Sequence, residues 1–105
     1  MENNALSELE KIIAARRSAA AENSYTAQLL QAAPEKLLKK IGEEATEVVI
    51  AAVGQGREAV LYESCDLIYH LMVLWAREGI ALQDISLELA RRFALSGLEE
   101  KANRK

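Results

Sequence analysis

The chain has 105 residues, half of them apolar, with one Cys and a formal net charge of −3. That is enough for one small domain and leaves no internal disulfide. The acidic balance argues against a protein that holds nucleic acid by bulk electrostatics.

In chain order, Met1 to Leu6 is polar and lacks the basic start and apolar core of a secretory signal. Leu6, Leu9, Ile12 and Ile13 form a helix stripe, with Ser7 or the Asn pair as N-cap. Arg16 and Arg17 close that helix on the favourable side of its dipole. Residues 18–23 read as an Ala-rich connector. Ser24 then caps a short helix carrying Leu29 and Leu30. Tyr25 and Thr26 in its first turn offer hydroxyls to a phosphate or a ribose, or serve as a packed ring and a cap. Pro34 suits the first turn of the next helix, where its missing N–H costs little.

Residues 34–78 are expected to form a central antiparallel helix hairpin. Leu37, Ile41, Ala45, Val48 and Ala52 step by four, four, three and four, which is a helix stripe. Gly54-Gln55-Gly56 breaks it. Val60, Leu67, Leu71 and Leu74 resume the period. The only β-branched run, Val48-Val49-Ile50, falls inside the helical pattern, so the chain reads as all-α.

The acids of the hairpin are ordered. Glu43, Glu44 and Glu47 share one side of the first arm, and Glu63 and Asp66 one side of the second. Glu47 and Glu63 lie eight residues either side of Gln55, and Glu44 and Asp66 eleven. At about 1.5 Å of rise per residue each pair sits at one height. Four carboxylates meeting there need a cation, and Mg²⁺, or Mn²⁺, suits oxygen ligands. The metal ligands expected are Glu44, Glu47, Glu63 and Asp66, with Glu43 as general base or supporting acceptor. Lys36, Lys39 and Lys40 approach from the N-terminal side; Lys40, on the carboxylate face, is the leading candidate for residual phosphate charge. The plainer reading of both groups is a solvated helix face with i,i+4 pairs.

Gly42 in mid-helix costs about 1 kcal/mol relative to Ala and suggests a close approach to the backbone. His70 follows Asp66 by one turn, either orienting it or packing in the core. Cys65 reads as a small core residue. Leu71 to Trp75 is apolar almost all round, so one hairpin cannot bury it, and a homodimer completing a four-helix-type core is expected. No apolar run reaches the ~20 residues of a membrane span. Gly79 ends the hairpin, and Leu82, Ile85, Leu89 and Phe93 mark a last helix with Asp84 in its first turn. Arg92 and Lys101 are candidates for phosphate capture. Residues 96–105 read as a solvated tail.

Glu43-Glu44-x-x-Glu47 followed by Glu63-x-x-Asp66 resembles the acidic signature of the MazG-like, all-α nucleoside triphosphate pyrophosphohydrolases. Ser24-Tyr25-Thr26-x-x-Leu29-Leu30, Lys39 to Val49, and Asp66-Leu67-Ile68-Tyr69-His70-Leu71 are more narrowly similar to phosphoribosyl-ATP pyrophosphohydrolase, the second enzyme of histidine biosynthesis. The resemblance runs from about Leu6 onward. It implies a single Mg²⁺-dependent hydrolase domain over residues 1–105, cytoplasmic, splitting the α–β phosphoanhydride of phosphoribosyl-ATP. It places the Ser-Tyr-Thr word near the active site. Longer relatives lead to an expected Gly near Ala94, which this chain lacks. Two alternatives stay open: a MazG-like enzyme acting on nucleoside or deoxynucleoside triphosphates, and a non-catalytic helical dimerisation module.

Overall fold

The computed structural model describes residues 4–103, with side chains for residues 5–94. Five α-helices follow in order and no strand occurs among the described residues: α1 (Asn4–Ala15), α2 (Tyr25–Gln31), α3 (Pro34–Gly54), α4 (Arg57–Glu78) and α5 (Leu82–Asn103). The stretch between α1 and α2 is a pair of single 3₁₀ turns, Arg16–Ser18 and Ala21–Asn23.

The ends of the helices follow the local chemistry of the sequence. Ser24 caps α2 by accepting from the Ala27 N–H at 3.1 Å. Pro34 opens α3. Gly56, at φ 94°, makes the bend into α4 in a conformation that a side chain would strain. Gly79 closes α4 in the left-handed region. Asp84 reaches back to the Ala81 N–H at 2.8 Å, half of a capping box. Glu10 of α1 accepts from the Leu82 N–H at 2.7 Å, so α1 tethers the start of α5. The backbone of residues 96–103 continues as helix instead of ending in a tail. The side chain of Lys101, and Arg104 and Lys105 altogether, lie outside the described residues.

α3 and α4 form the expected hairpin, the dominant packing in the chain. α1 and α2 cover only its open end. There Ile13, Leu29, Leu37, Met72 and Val73 form the core, flanked by Leu9, Ile41, Tyr69 and Trp75. Arg77 fastens α2 to α4 by donating to three carbonyls at the end of α2, those of Leu29 at 2.8 Å, Leu30 at 3.2 Å and Ala32 at 2.7 Å.

The inward stripe of α3 differs from the expected one. Leu37, Glu44 and Ala51 are buried and Ile41 and Val48 half-buried, whereas Ala45 and Ala52 are exposed. The steps are therefore four, three, four and three, the spacing of a helix–helix seam, and a carboxylate occupies one of its positions. Cys65 is exposed and not a core residue. Gly42 has open space where a Cβ would stand, so none of the described residues approaches it closely.

The bend half of the hairpin is bare. Val49, Ile50 and Val53 on α3 and Leu61, Tyr62 and Ile68 on α4 are exposed, Val53 at 83%. α5 packs chiefly on α1 and exposes Leu87, Leu89 and Phe93. The radius of gyration is 16.7 Å, against about 13 Å for a compact chain of this size. α4 also reaches a mean hydropathy of 1.2 over its most apolar 18 residues, long and apolar enough to cross a membrane by that measure. It carries Glu63 and Asp66 near its middle, and each such acid costs roughly 2.5–3.5 kcal/mol at a bilayer centre.

Candidate active site

The bend at Gly56 lays α4 back along α3 and brings acids from both arms together. Glu44, Glu63 and Asp66 each present a carboxylate oxygen, and these oxygens lie within 4.8 Å of one another. Glu44 is the most enclosed, at 8% exposure; Glu63 and Asp66 are half-buried. Desolvation, then the charges of Glu47, Asp66 and Glu44, hold the Glu63 carboxyl above the usual carboxylate range. The sequence pairs the four ligands as two rungs; the structure gathers three and leaves Glu47 exposed on the rim, near enough for Glu63 to feel its charge. Glu43 is exposed and turns to an open groove with Lys39, Gly42, Thr46 and Glu47.

Lys40 supplies the local positive charge. Its Nζ lies 3.4 Å from Glu44 and 3.9 Å from Glu43. Partial desolvation works against the ammonium, but the Glu44 hydrogen bond and the surrounding charges together raise its pKa above the ordinary lysine value. One ammonium does not balance three converging carboxylates, so the triad retains a net negative charge. That hard-oxygen set, drawn from two helices, fits a divalent cation of the Mg²⁺ or Mn²⁺ type.

On the side of α2, four side chains interlock. Tyr25 Oη is 3.0 Å from His70 Nε2, and His70 Nδ1 is 2.9 Å from the Asp66 main-chain oxygen. The hydroxyls of Thr26 and Tyr69 are hydrogen-bonded to each other. The Tyr25 and Tyr69 rings stack with centroids 6.4 Å apart, and Lys36 stands 5.9 Å above the Tyr25 ring, a cation–π contact. Burial raises the Tyr25 phenol; Lys40 opposes this, while Tyr69, Glu44 and Asp66 add to it. The hydrogen bonds from Tyr25 to His70 and from His70 to the Asp66 main-chain oxygen link the phenol to the backbone of one of the three acids. His70 is buried at 5% exposure. It bonds the backbone of Asp66 and not its carboxylate, so it neither orients the acid directly nor faces a metal.

Arg92 is not brought to this site within the chain. Its Nε is bonded to Glu88 at 3.0 Å, which also takes Arg91, and these hydrogen bonds pull the Glu88 carboxyl down to about 2. Sequence reasoning missed Tyr69 and the link from Tyr25 to His70. The only signal was Tyr69-His70 following Asp66, and nothing in the sequence shows that α2 folds onto that turn.

A family model described as "Phosphoribosyl-ATP pyrophosphohydrolase" matches residues 6–93. The chain is 57% identical over 99 residues to a phosphoribosyl-ATP pyrophosphatase of Sinorhizobium medicae, covering 94% of this chain and 92% of the relative. It is 51% identical over 94 residues to one of Geobacter metallireducens, covering 90% and 86%.

Proposed function

The chain belongs to the phosphoribosyl-ATP pyrophosphohydrolase family of hydrolases, and from that premise we propose that it hydrolyses the α–β phosphoanhydride of phosphoribosyl-ATP, releasing pyrophosphate and phosphoribosyl-AMP, as the second step of histidine biosynthesis in the cytoplasm. The observation that carries the chemistry is the convergence of Glu44, Glu63 and Asp66 within 4.8 Å.

These three acids would hold Mg²⁺, with Glu47 as fourth ligand from the rim, where no cation is bonded to it among the described residues. When bound, the ion neutralises phosphate charge in the in-line displacement and acidifies the attacking water. The rest falls to the protein. The helix seam encloses Glu44, the most buried of the set. Lys40, held between Glu43 and Glu44, stands where a polyphosphate arriving at the triad meets a second positive charge. Lys36 extends that charge over the Tyr25 ring. Glu43, on the open groove, is the candidate base for a water entering there. Tyr25 and Thr26 line the substrate side.

A second copy of the chain completes the fold in this reading. The bare faces around Val53 and Tyr62 are too apolar to stand in water singly, and pairing two hairpins makes a four-helix core.

Pyrophosphate release from phosphoribosyl-ATP, with and without Mg²⁺, tests the assignment. Release that requires the cation, and that exceeds release from any deoxynucleoside triphosphate, is expected. Faster release from deoxynucleoside triphosphates would move the chain to the house-cleaning reading. No release from either, with no metal-linked stabilisation, would leave a non-catalytic module.

A further inference from the structure

We infer that His70 fixes the polarity of the Tyr25 phenol, and that Tyr25 thereby acts as a hydrogen-bond acceptor for a sugar hydroxyl on the triphosphate-bearing ribose of the substrate. The inference rests on the function proposed above and narrows it to one contact.

The Asp66 main-chain oxygen only accepts, so His70 Nδ1, 2.9 Å away, carries the hydrogen. A neutral imidazole protonated at Nδ1 has a bare Nε2. Tyr25 Oη lies 3.0 Å from that nitrogen and, against the neutral ring that this inference assigns, is the donor. A phenol has one proton. With it committed to His70, the oxygen offers lone pairs alone to whatever arrives. A phosphate oxygen also offers lone pairs, so the pair would repel. Between the two ligands that the sequence allows for Tyr25, phosphate and ribose, the geometry therefore selects the ribose.

The ring is held for that task. His70 meets the Tyr25 ring edge-on at 5.9 Å and 79°, and Tyr69 stacks beside it. The Thr26–Tyr69 hydroxyl pair ties the next residue of α2 to the neighbouring residue of α4. Two adjacent cross-links leave the phenol little freedom to turn. Tyr25 is nevertheless 43% exposed as a residue, which leaves it open to a ligand. Of the nearby cations, Lys40 is shared by Glu43 and Glu44, and Lys36 stands over the Tyr25 ring. In the substrate, the ribose carrying the triphosphate is joined to the α-phosphate through a single methylene. When the scissile bond lies at the acid triad, that sugar lies next to the triad, where Tyr25 stands.

The test compares wild type and Tyr25→Phe on three substrates: phosphoribosyl-ATP and its analogues lacking the 2′- or the 3′-hydroxyl on the triphosphate-bearing ribose. Pyrophosphate release is followed at saturating Mg²⁺. One analogue should lower the wild-type kcat/KM about tenfold, mainly through KM. Tyr25→Phe should lose a similar factor on the parent and nothing further on that analogue. Losses that multiply for both analogues would overturn the contact. The ring ¹⁵N spectrum of His70 in the unliganded wild-type protein gives a reading independent of turnover. Protonation at Nδ1 with a bare Nε2 is expected, and a ring protonated at Nε2, alone or together with Nδ1, would overturn the polarity. If wild type releases no pyrophosphate from the parent, the proposed function fails, and the contact falls with it whatever the nitrogen spectrum shows.

Discussion

Replacing Asp66 by Asn separates the charge of the site from its shape. The side chain keeps its size, and the main-chain bond to His70 is untouched. Asp66 and Glu44 present oxygens no more than 4.8 Å apart, and no cation is bonded to Asp66 among the described residues. Two unit charges at that distance repel by about 1 kcal/mol with the screening of water and about 3 kcal/mol at an effective dielectric of 20. Asp66 is half-buried, so the lower part of that range applies; Glu63 acts in the same direction. Without metal, Asp66→Asn should therefore be about 1–2 kcal/mol more stable than wild type. For a domain of this size that raises the melting temperature by roughly 4–8 °C per kcal/mol. With Mg²⁺ the order should reverse. Wild type gains about 2.7 kcal/mol when the ion is at a hundred times its dissociation constant, and the variant gains little and loses pyrophosphate release. Calorimetry at fixed protein concentration, with EDTA and then with excess Mg²⁺, reads both. A variant that melts below wild type in EDTA, or a wild type indifferent to Mg²⁺, would refute the view that these acids are kept together against their own repulsion to hold a cation.

Arg77→Ala should cost about 2–3 kcal/mol, because three carbonyls at the end of α2 lose a charged donor; the denaturant midpoint measures it, and Arg77→Lys, whose shorter side chain stops short of the place of Nη1, should recover only part. Leu37→Ala, at a fully buried position, should cost about 3–4 kcal/mol in the same measurement. Val53→Asp should shift sedimentation toward the single chain while helicity by circular dichroism is retained; an unchanged assembly would mean that this face is not the interface. The Glu88 carboxyl, drawn to about 2 from an ordinary 4.5, should add stability above pH 4.5 that is lost as pH falls through 2. Because the group is exposed, 1 M salt should return its NMR titration midpoint toward the ordinary value.

Much of this protein was legible in local chemistry. The 3.6-residue period, Ser24, Pro34, Gly56 and Gly79 act within a turn or two of chain, so the sequence by itself determined the helices, the hairpin and the ends that those residues mark, though not the end of α5, which runs on through residues 96–103. The hairpin also set the acids of its two arms at matching heights, since rise per residue is a property of the backbone. What escaped was rotation about the helix axis. The stripe through Ala45 and the stripe through Glu44 differ by one residue, about 100°, and the choice depends on what α4 presents opposite. That rotation seats Glu44 in the seam and leaves Glu47 on the rim, and the facing rotation of α4 exposes Cys65. The Tyr25–His70 and Thr26–Tyr69 bonds were likewise beyond reach, because each joins residues more than forty apart through the docking of α2. Arg77 decides that docking by reaching three carbonyls whose positions exist only once the chain has folded. The sequence thus specified which groups the chain carries and on which helices; only the packing of those helices decided which of them meet.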